Sequence, residues 1–470
     1  MTDRRVVCVV GGGPAGMIAA GRAAELGARV ILLERNRALG RKLLITGGGR
    51  CNVTNAVADR HVLVSRYGAG ASALHSVFAR FAPDDMRSLL HRLGLDTIEE
   101  AEGRVFPATQ KAVSVRDALV RYMESGSVTV RTGAPVHRLV ALSGDGAGGG
   151  EAAGGDSNCG GVGEADGGDG GANRSEEGAA GGDGGGNVAR GRHVVAVELA
   201  SGDRIEADRF IVATGGVSRP ETGSTGDGFD WLRELGAAVR YPKPSLVPIR
   251  VVERWPLALQ GLAIGEARLS VLLDGARQFT ATGKLLFTHF GMSGPVVLNL
   301  SQGINELAQG GPVTILIDPL PGEDSGSVDR RLQAILAESP KKLLGNVLGR
   351  LVPARMASVV LELAGVDPST RCSELARERR RAVVDAVKAL PVTFDGLLGA
   401  DRAVVSSGGV SPRDVDFTTM TLVSIPNLAV AGDMLDFERQ SGGYSLQLCW
   451  STGWVAGSSA AGSGGTAHAR

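Results

Sequence analysis

The sequence predicts a mixed α/β fold: a sheet unit covered by helices, split by a strand-rich insert that carries a helical piece of its own. Three observations carry this reading. Residues 5–34 alternate an apolar run, a helical pattern and a second apolar run. Residues 244–322 hold mainly short strand and turn patterns. Residues 325–390 turn helical and are interrupted at Pro340, Pro353 and Pro368.

Val6 to Val10 is a short apolar run, Pro14 to Leu26 an Ala-rich helix, and Arg29 to Glu34 a second apolar run. Continuously apolar strands on either side of a helix indicate a buried parallel sheet. Residues 72–94 space Leu74, Val77, Phe78, Phe81, Leu89, Leu90 and Leu93 near the helical period, and Arg116 to Met123 reads as a further helix. From Val128 the pattern shifts to short strands at Thr129–Arg131, Val136–Leu142, Val194–Leu199 and Arg204–Val212. Strand patterns resume at Ala403–Ser406 and Leu428–Ala431, ahead of a last helix near Gln447–Ala460 and a frayed Gly/Ser/Ala tail after Gly462. The order assigns 1–142, 188–243 and 413–470 to the sheet unit, 244–324 and 391–412 to the insert, and 325–390 to its helical piece.

Formal net charge is zero, so the whole-chain balance argues for no particular partner. It hides a compensation, because residues 143–187 hold nine Asp or Glu against one Arg and the remainder is mildly basic. In that segment 20 of 45 residues are Gly and apolar side chains are scarce. It cannot bury enough apolar surface to offset its ordering entropy and is expected to be disordered, a long loop in a hairpin between Val136–Leu142 and Val194–Leu199. The five cysteines (Cys8, Cys51, Cys159, Cys372, Cys449) show no CxxC pair. Neither a disulfide framework nor a metal site is expected, and a reducing compartment fits best. No run of 18 apolar residues predicts a membrane span, and a first strand starting near Arg5 leaves no room for a leader, so the expected location is cytoplasmic.

The strongest local motif is Gly11-Gly12-Gly13-Pro14-Ala15-Gly16, which satisfies GxGxxG through Gly11, Gly13 and Gly16 between a predicted strand and helix. Gly11 permits the tight turn, Gly13 admits a pyrophosphate close to the backbone, and Gly16 lets helix and strand pack closely. The helix N-terminus attracts the negative charge. Glu34 ends the second strand, where a carboxylate binds ribose hydroxyls and repels a 2′-phosphate, so FAD or NAD is expected rather than NADP. The spacing alone is weak: Gly144, Gly146 and Gly149 match it inside the low-complexity segment without a strand or helix beside them. Two later strands favour FAD. Arg209–Gly216 (RFIVATGG) ends at Thr214 and Gly215, and Asn427–Asp433 (NLAVAGD) ends at Gly432 and Asp433. These two ends are expected to meet the adenine half and the ribityl–pyrophosphate region. Pro14, Ala15, Arg35 and Lys42 are expected as further cofactor contacts beside them.

The segment Gly40–Asn55 (GRKLLITGGGRCNVTN) resembles a family of FAD-dependent oxidoreductases that includes bacterial bile-acid ene reductases and an rRNA dihydrouridine synthase, the BaiN/RdsA-like group. Further matches are Glu102–Lys111, Ala213–Gly228, Ser245–Ile249, Leu285–Leu300, Ser407–Val410 and Gly432–Gly457, so the likeness spans nearly the whole chain outside 143–187. The resemblance implies a Rossmann-like FAD-binding domain interrupted by a β-barrel-like insert with a nested small helical unit. It implies that Gly47, Gly48, Gly49, Arg50, Cys51 and Asn52 form a loop around the flavin. It also implies that Gly442, Gly443 and Tyr444 start a helix aimed at the flavin pyrimidine ring. Phe437–Ser441 (FERQS) departs from the Gly/Pro/Thr-type residues common there, and Cys449 stands where a small residue is usual.

The resemblance makes Cys51, His289 and Tyr444 the candidate catalytic residues. Cys51 is either a proton donor or a small packing residue, His289 a donor or a structural histidine, and Tyr444 a hydrogen-bond partner or a turn cap. The expected activity is hydride transfer from reduced flavin N5 to an activated C=C bond, with transient NAD(P)H as donor because no second GxGxxG lies on a strand–helix turn. Small-molecule enones and rRNA are the candidate substrates. The helical piece, with 12 Lys or Arg against seven Asp or Glu, presents either an RNA-contacting face or a solvated exterior. A non-catalytic FAD-binding redox or assembly protein is the remaining alternative.

Overall fold

A computed structural model of the chain describes residues 4–68, 70–142 and 192–462. The expectation of disorder over 143–187 lies outside these residues. The central sheet has seven strands in the order Val415–Asp416, Thr421–Leu422, Ile425–Val430, Arg209–Val212, Val6–Val10, Arg29–Glu34, Thr129–Thr132. The last five run parallel, and the first two add an antiparallel edge. Val6–Val10 is the middle of the five parallel strands, as its wholly apolar sequence requires, and Val7, Cys8 and Val9 have no exposed surface. Thr129–Thr132, inside the range assigned by sequence to the sheet unit, closes the far edge of this sheet.

Helices Pro14–Glu25, Ala112–Ser125 and Tyr444–Ala460 pack together over the sheet. Helix Tyr444–Ala460 lies unusually close to Pro14–Glu25. A Cβ on Gly453 would stand 2.4 Å from the Ala15 carbonyl oxygen, and one on Gly457 would stand 2.3 Å from that of Ala19. The register (15 with 453, 19 with 457) makes the two helices parallel, so both begin at the carboxyl edge of the sheet. The apolar stretch over 72–94 forms two helices, Leu74–Phe78 and Pro83–Arg92, because Pro83 has no N–H to continue the first. The strand Val136–Leu142 pairs antiparallel with His193–Leu199, and that hairpin is pinned to the sheet through Asn427. Its side chain accepts from Val194 N at 3.1 Å and donates to Val194 O at 2.7 Å.

The insert is a closed six-stranded barrel of Ile249–Val251, Gly291–Ser293, Ala276–Thr288, Ala263–Leu273, Val313–Asp318 and Leu390–Leu397. Between its last two strands in sequence lies the helical unit of Ser325–Glu338, Leu344–Val347, Ala354–Leu363 and Arg377–Lys388. Barrel and helices share one apolar core separate from that of the sheet unit. Lys388 joins them, with Nζ 2.6 Å from Asp318 Oδ2 and donating to the Leu320 carbonyl at 2.7 Å. The strand Val405–Val410, inside the range assigned by sequence to the insert, does not enter the barrel. It pairs with Val239–Ser245 and bridges the two units. Gly408 and Gly409 permit this crossing, since a Cβ on Gly408 would meet Arg240 O and Pro242 Cα at 2.8 Å.

The Gly453/Gly457 seam gives a test. Gly457→Val is expected to destabilise the chain by about 1–3 kcal/mol through overpacking, read as a lower urea midpoint with an unchanged slope.

Candidate functional site

The strand Val6–Val10 runs into Gly11, whose φ of 107° and whose contact with Ala213 exclude a side chain: a Cβ would lie 2.5 Å from the Ala213 carbonyl oxygen. Gly16 faces the Gly11 carbonyl, where a Cβ would sit at 1.8 Å. Gly13 differs. Its backbone is extended at φ −82°, and a Cβ there would meet nothing within 4 Å, so the absent side chain leaves open space at the start of helix Pro14–Glu25. Glu34 is buried at the end of Arg29–Glu34. Its Oε2 accepts from Gly12 N at 2.8 Å, and its Oε1 accepts from Asn36 N at 2.7 Å and Asn36 Nδ2 at 2.6 Å. These bonds fix the carboxylate at the cavity edge with acceptor capacity to spare. Arg35 turns to Asp227, its Nη1 2.8 Å from Oδ2.

The following loop enters the site through Lys42 and the glycine run. Gly47, Gly48 and Gly49 take φ values of 56°, 68° and 85°, and Cys51 a φ of 64°, so the chain coils left-handed around this corner. A Cβ on Gly47 would stand 2.9 Å from Asn52 N. Arg50 leaves the cavity: its guanidinium lies 4.0 Å above the Phe106 ring, its Nε donates to Gln110, and it pairs with Glu100. These contacts brace the loop from behind. Lys42 holds its Nζ 3.2 Å from Ser218 Oγ. Burial lowers its pKa, and the charge of Asp433 opposes that shift.

At the opposite end Gly442 and Gly443 take φ values of 123° and 102° and open helix Tyr444–Ala460. Gly443 crosses Thr54 so closely that a Cβ would lie 2.5 Å from the Thr54 carbonyl. The crossing is locked on both sides. Asn55 Nδ2 donates to the Gly442 carbonyl at 3.1 Å, Thr54 Oγ1 donates to Gln447 Oε1 at 2.6 Å, and Trp450 Nε1 donates to the Val53 carbonyl at 2.8 Å. Asp433 accepts from Arg439 Nη1 at 2.8 Å.

Between these ends runs one cavity of about 550 Å³. It gathers Gly11, Gly13, Pro14 and Ala15 from the first turn, then Glu34 and Arg35 from the second strand. Lys42, Gly47, Gly48 and Asn52 line it from the loop, Thr214, Gly215 and Asp433 from the strand ends, and Gly442 and Gly443 from the last helix. Other sequence-derived candidates stand off its wall. Gly16 packs on the Gly11 backbone and Gly432 against the Ala15 and Cys449 side chains, and Gly49 and Arg50 lie behind the loop. Cys51 and Tyr444 are buried outside the wall, the Tyr444 carbonyl accepting from Tyr67 OH at 2.8 Å. His289 is exposed in the barrel turn between Ala276–Thr288 and Gly291–Ser293. The wall also includes Trp231, Leu246, Leu298 and Val404, together with Gln440 and Ser441 of the Phe437–Ser441 stretch, none of which the sequence named as a site residue. Leu298 comes from the helix Pro295–Leu307 and Val404 directly precedes the bridging strand, so only tertiary packing brings them here. Asn52 Oδ1 and Ser441 Oγ are buried on the wall with no partner among the described residues. Among those residues no group of His, Cys, Asp or Glu is arranged to hold a metal ion, and no helix is long and apolar enough to cross a membrane.

A parallel sheet with a glycine turn after its first strand, an acid closing its second, and a long cavity at its strand carboxyl ends defines a dinucleotide-binding protein of the doubly wound class. Comparison with known families narrows the class. The HI0933-like protein Rossmann domain matches residues 5–147, and the HI0933-like protein barrel and H2TH domain matches residues 243–405. The chain belongs to the HI0933-like family. It is 28% identical over 456 residues to a 3-dehydro-bile acid delta(4,6)-reductase of Clostridium scindens, covering 96% of this chain and 98% of that protein. It is 27% identical over 458 residues to a ribosomal RNA dihydrouridine synthase of Escherichia coli, covering 96% and 97%. The crystal structure of 3-ketosteroid delta1-dehydrogenase from Sterolibacterium denitrificans, in complex with 1,4-androstadiene-3,17-dione, shares the fold. It has a TM-score of 0.51 at 13% identity, over 98% of this chain and 100% of that one.

The buried thiols make a pH prediction. Burial pushes both Cys51 and Cys449 up to about 12 from an ordinary value of 9.0. The folded state therefore favours the protonated thiol, and unfolding releases these protons between pH 9 and 12. The stability they contribute is complete below the ordinary value and falls as pH rises through that window. Iodoacetamide at pH 8 is expected to leave both residues unmodified in the native chain and to label both after denaturation, read by peptide mass spectrometry.

Proposed function

We propose that the chain binds FAD in the 550 Å³ cavity and is an oxidoreductase that delivers a hydride to an activated C=C bond, with NAD(P)H as the electron donor. The observation that carries the reading is the match between the cavity's two ends and the two halves of such a cofactor. One end offers the open Gly13 notch, a helix N-terminus and the fixed Glu34 carboxylate, which suit pyrophosphate and ribose. The other offers the N-terminus of the 17-residue helix Tyr444–Ala460 and the Asn52 and Ser441 polar atoms, which suit a polar ring edge.

When bound, FAD supplies a two-electron hydride donor at N5. The chain's own residues do the rest. The left-handed Gly47–Gly49 corner and the Gly442–Gly443 helix start present backbone without side chains, so a planar ring can lie against them. Leu246, Leu298 and Val404 close the wall from the barrel side and keep water from the reacting region. Cys51, His289 and Tyr444 remain proposed as groups serving the proton step, although none of them lines the cavity wall. The buried Cys51 thiol is a poor acid at neutral pH. Beside the helix start the wall itself carries the Ser441 hydroxyl.

Small-molecule ene reduction is the first reading of the substrate, in line with the bile-acid reductase named above. One observation favours rRNA as a second reading. The bridge Leu343 to Arg371 and the bond from Cys372 N to the Lys342 carbonyl at 2.9 Å bring exposed Lys341, Lys342 and Arg371 together on the helical unit. The buried free cysteines suit a reducing, cytoplasmic setting.

Purified protein is expected to carry the two-band absorption of oxidised flavin and to bleach with NAD(P)H. Colourless protein that takes up no added FAD would sink the reading. Gly13→Asp is tolerated by the extended backbone and sets a carboxylate in the open notch. It is expected to leave the melting temperature unchanged while weakening FAD binding about tenfold or more, roughly 1.4 kcal/mol, measured by flavin fluorescence titration.

A further inference from the structure

The carboxyl edge of the sheet shields more positive charge than negative. The Arg439 side chain has no exposed surface. Its Nη1 donates to Asp433 Oδ1 at 2.8 Å and its Nη2 to the Ser406 carbonyl at 2.6 Å, while its Nε is buried with no acceptor among the described residues. Ser406 in turn accepts through Oγ from Val217 N at 2.7 Å and Ser218 N at 3.1 Å. The guanidinium is thereby fixed against three chain segments: Gly432–Met434, Val405–Val410 and the loop after Gly215.

Lys42 brings a second basic group to the same place. Its Nζ donates to Ser218 Oγ, the residue beside Arg439's own support, and it feels the charges of both Asp433 and Arg439. Two other titratable groups face it. The Cys449 thiol is held protonated by burial and adds no charge at neutral pH. Glu221 is exposed, screened by water and 3.9 Å from Arg219. Within the shielded region two basic side chains therefore meet one carboxylate, and Lys42 and Asp433 both line the cavity. Burial disfavours the Lys42 charge, and a negative occupant favours it. Stability does not account for this arrangement. A buried ion pair is commonly replaceable by apolar residues without loss, and a guanidinium with an unpartnered Nε is a poorer structural choice still.

We propose that Lys42 and Arg439 form a charge-selecting pair, which makes the cavity hold its occupant more tightly when that occupant carries one additional negative charge. The proposal rests on the FAD reading, because uptake of two electrons and one proton by bound oxidised flavin leaves the reduced ring with that additional charge. Arg439 is a positioning residue: it acts through Asp433 and through its fixed charge, off the cavity wall. Lys42 acts from the wall itself. Their joint effect is to raise the reduction potential of the bound cofactor.

The experiment is equilibration of the FAD-loaded full chain with a reference dye during slow enzymatic reduction, giving the two-electron midpoint potential of parent and variants. Arg439→Met and Lys42→Met are each expected to cut the preference for the reduced form about tenfold, a fall of about 30 mV for a two-electron couple. Arg439→Lys keeps the charge and is expected to stay near the parent value. Variants that load FAD and keep the parent potential overturn the charge pair. An equal fall in Arg439→Lys and Arg439→Met also overturns it, assigning the effect to packing. Should Arg439→Met lose its fold by circular dichroism, Lys42→Met decides alone, since its ammonium makes one side-chain bond. A parent chain that takes up no FAD overturns the underlying reading as well.

Discussion

The close parallel packing of helix Tyr444–Ala460 on helix Pro14–Glu25 is the constraint on which the site depends. Two carbonyls of one helix lie where side chains of the other would be, so Gly453 and Gly457 are required opposite Ala15 and Ala19. The gain is close contact over two turns, where dispersion between well-packed atoms accumulates. The consequence is positional. Parallel helices that start at the same sheet edge aim two N-termini into one cavity, one from the glycine turn and one from Gly442–Gly443. A larger residue at position 453 or 457 would move the second helix, and with it Asp433 and Ser441 on the opposite wall.

The remaining walls are built from backbone geometry. Gly11, Gly16 and Gly443 each stand against a carbonyl with no room for a Cβ, whereas Gly13 faces open space. The first three are packing requirements and the last leaves volume for a ligand, although all four look alike as letters. The same division applies to charged groups. Arg50 resembles a ligand in the motif but stacks on Phe106 and pairs with Glu100, holding the loop from outside. Arg439 resembles nothing in the motif, yet it is the fully buried cation next to Asp433.

The barrel and its helical unit contribute to the site by covering it. Leu298 and Val404 reach the cavity from elements whose own cores lie elsewhere, and the strand Val405–Val410 ties the two units through Val239–Ser245. The Lys388 to Asp318 pair then fixes the helical unit on the barrel, so its basic loops are held at a set place on the molecule's surface.

The sequence by itself determined the sheet unit and most of one wall. Apolar strands around an Ala-rich helix, the Gly11 to Gly16 spacing and the terminal Glu34 are local patterns, and local backbone requirements are written in consecutive residues. The interrupted order of the chain was legible for the same reason, since strand and helix periodicities change where the insert begins and ends. Only the tertiary structure decided which candidates face the cavity. Cys51, Tyr444 and His289 sit in motifs that run past the site, but a left-handed corner, a helix start and a barrel turn direct their side chains away from it. Conversely Arg439, Ser441, Leu298 and Val404 acquire their places through contacts between segments far apart in sequence. Their burial and charge balance follow from packing, which no local pattern records.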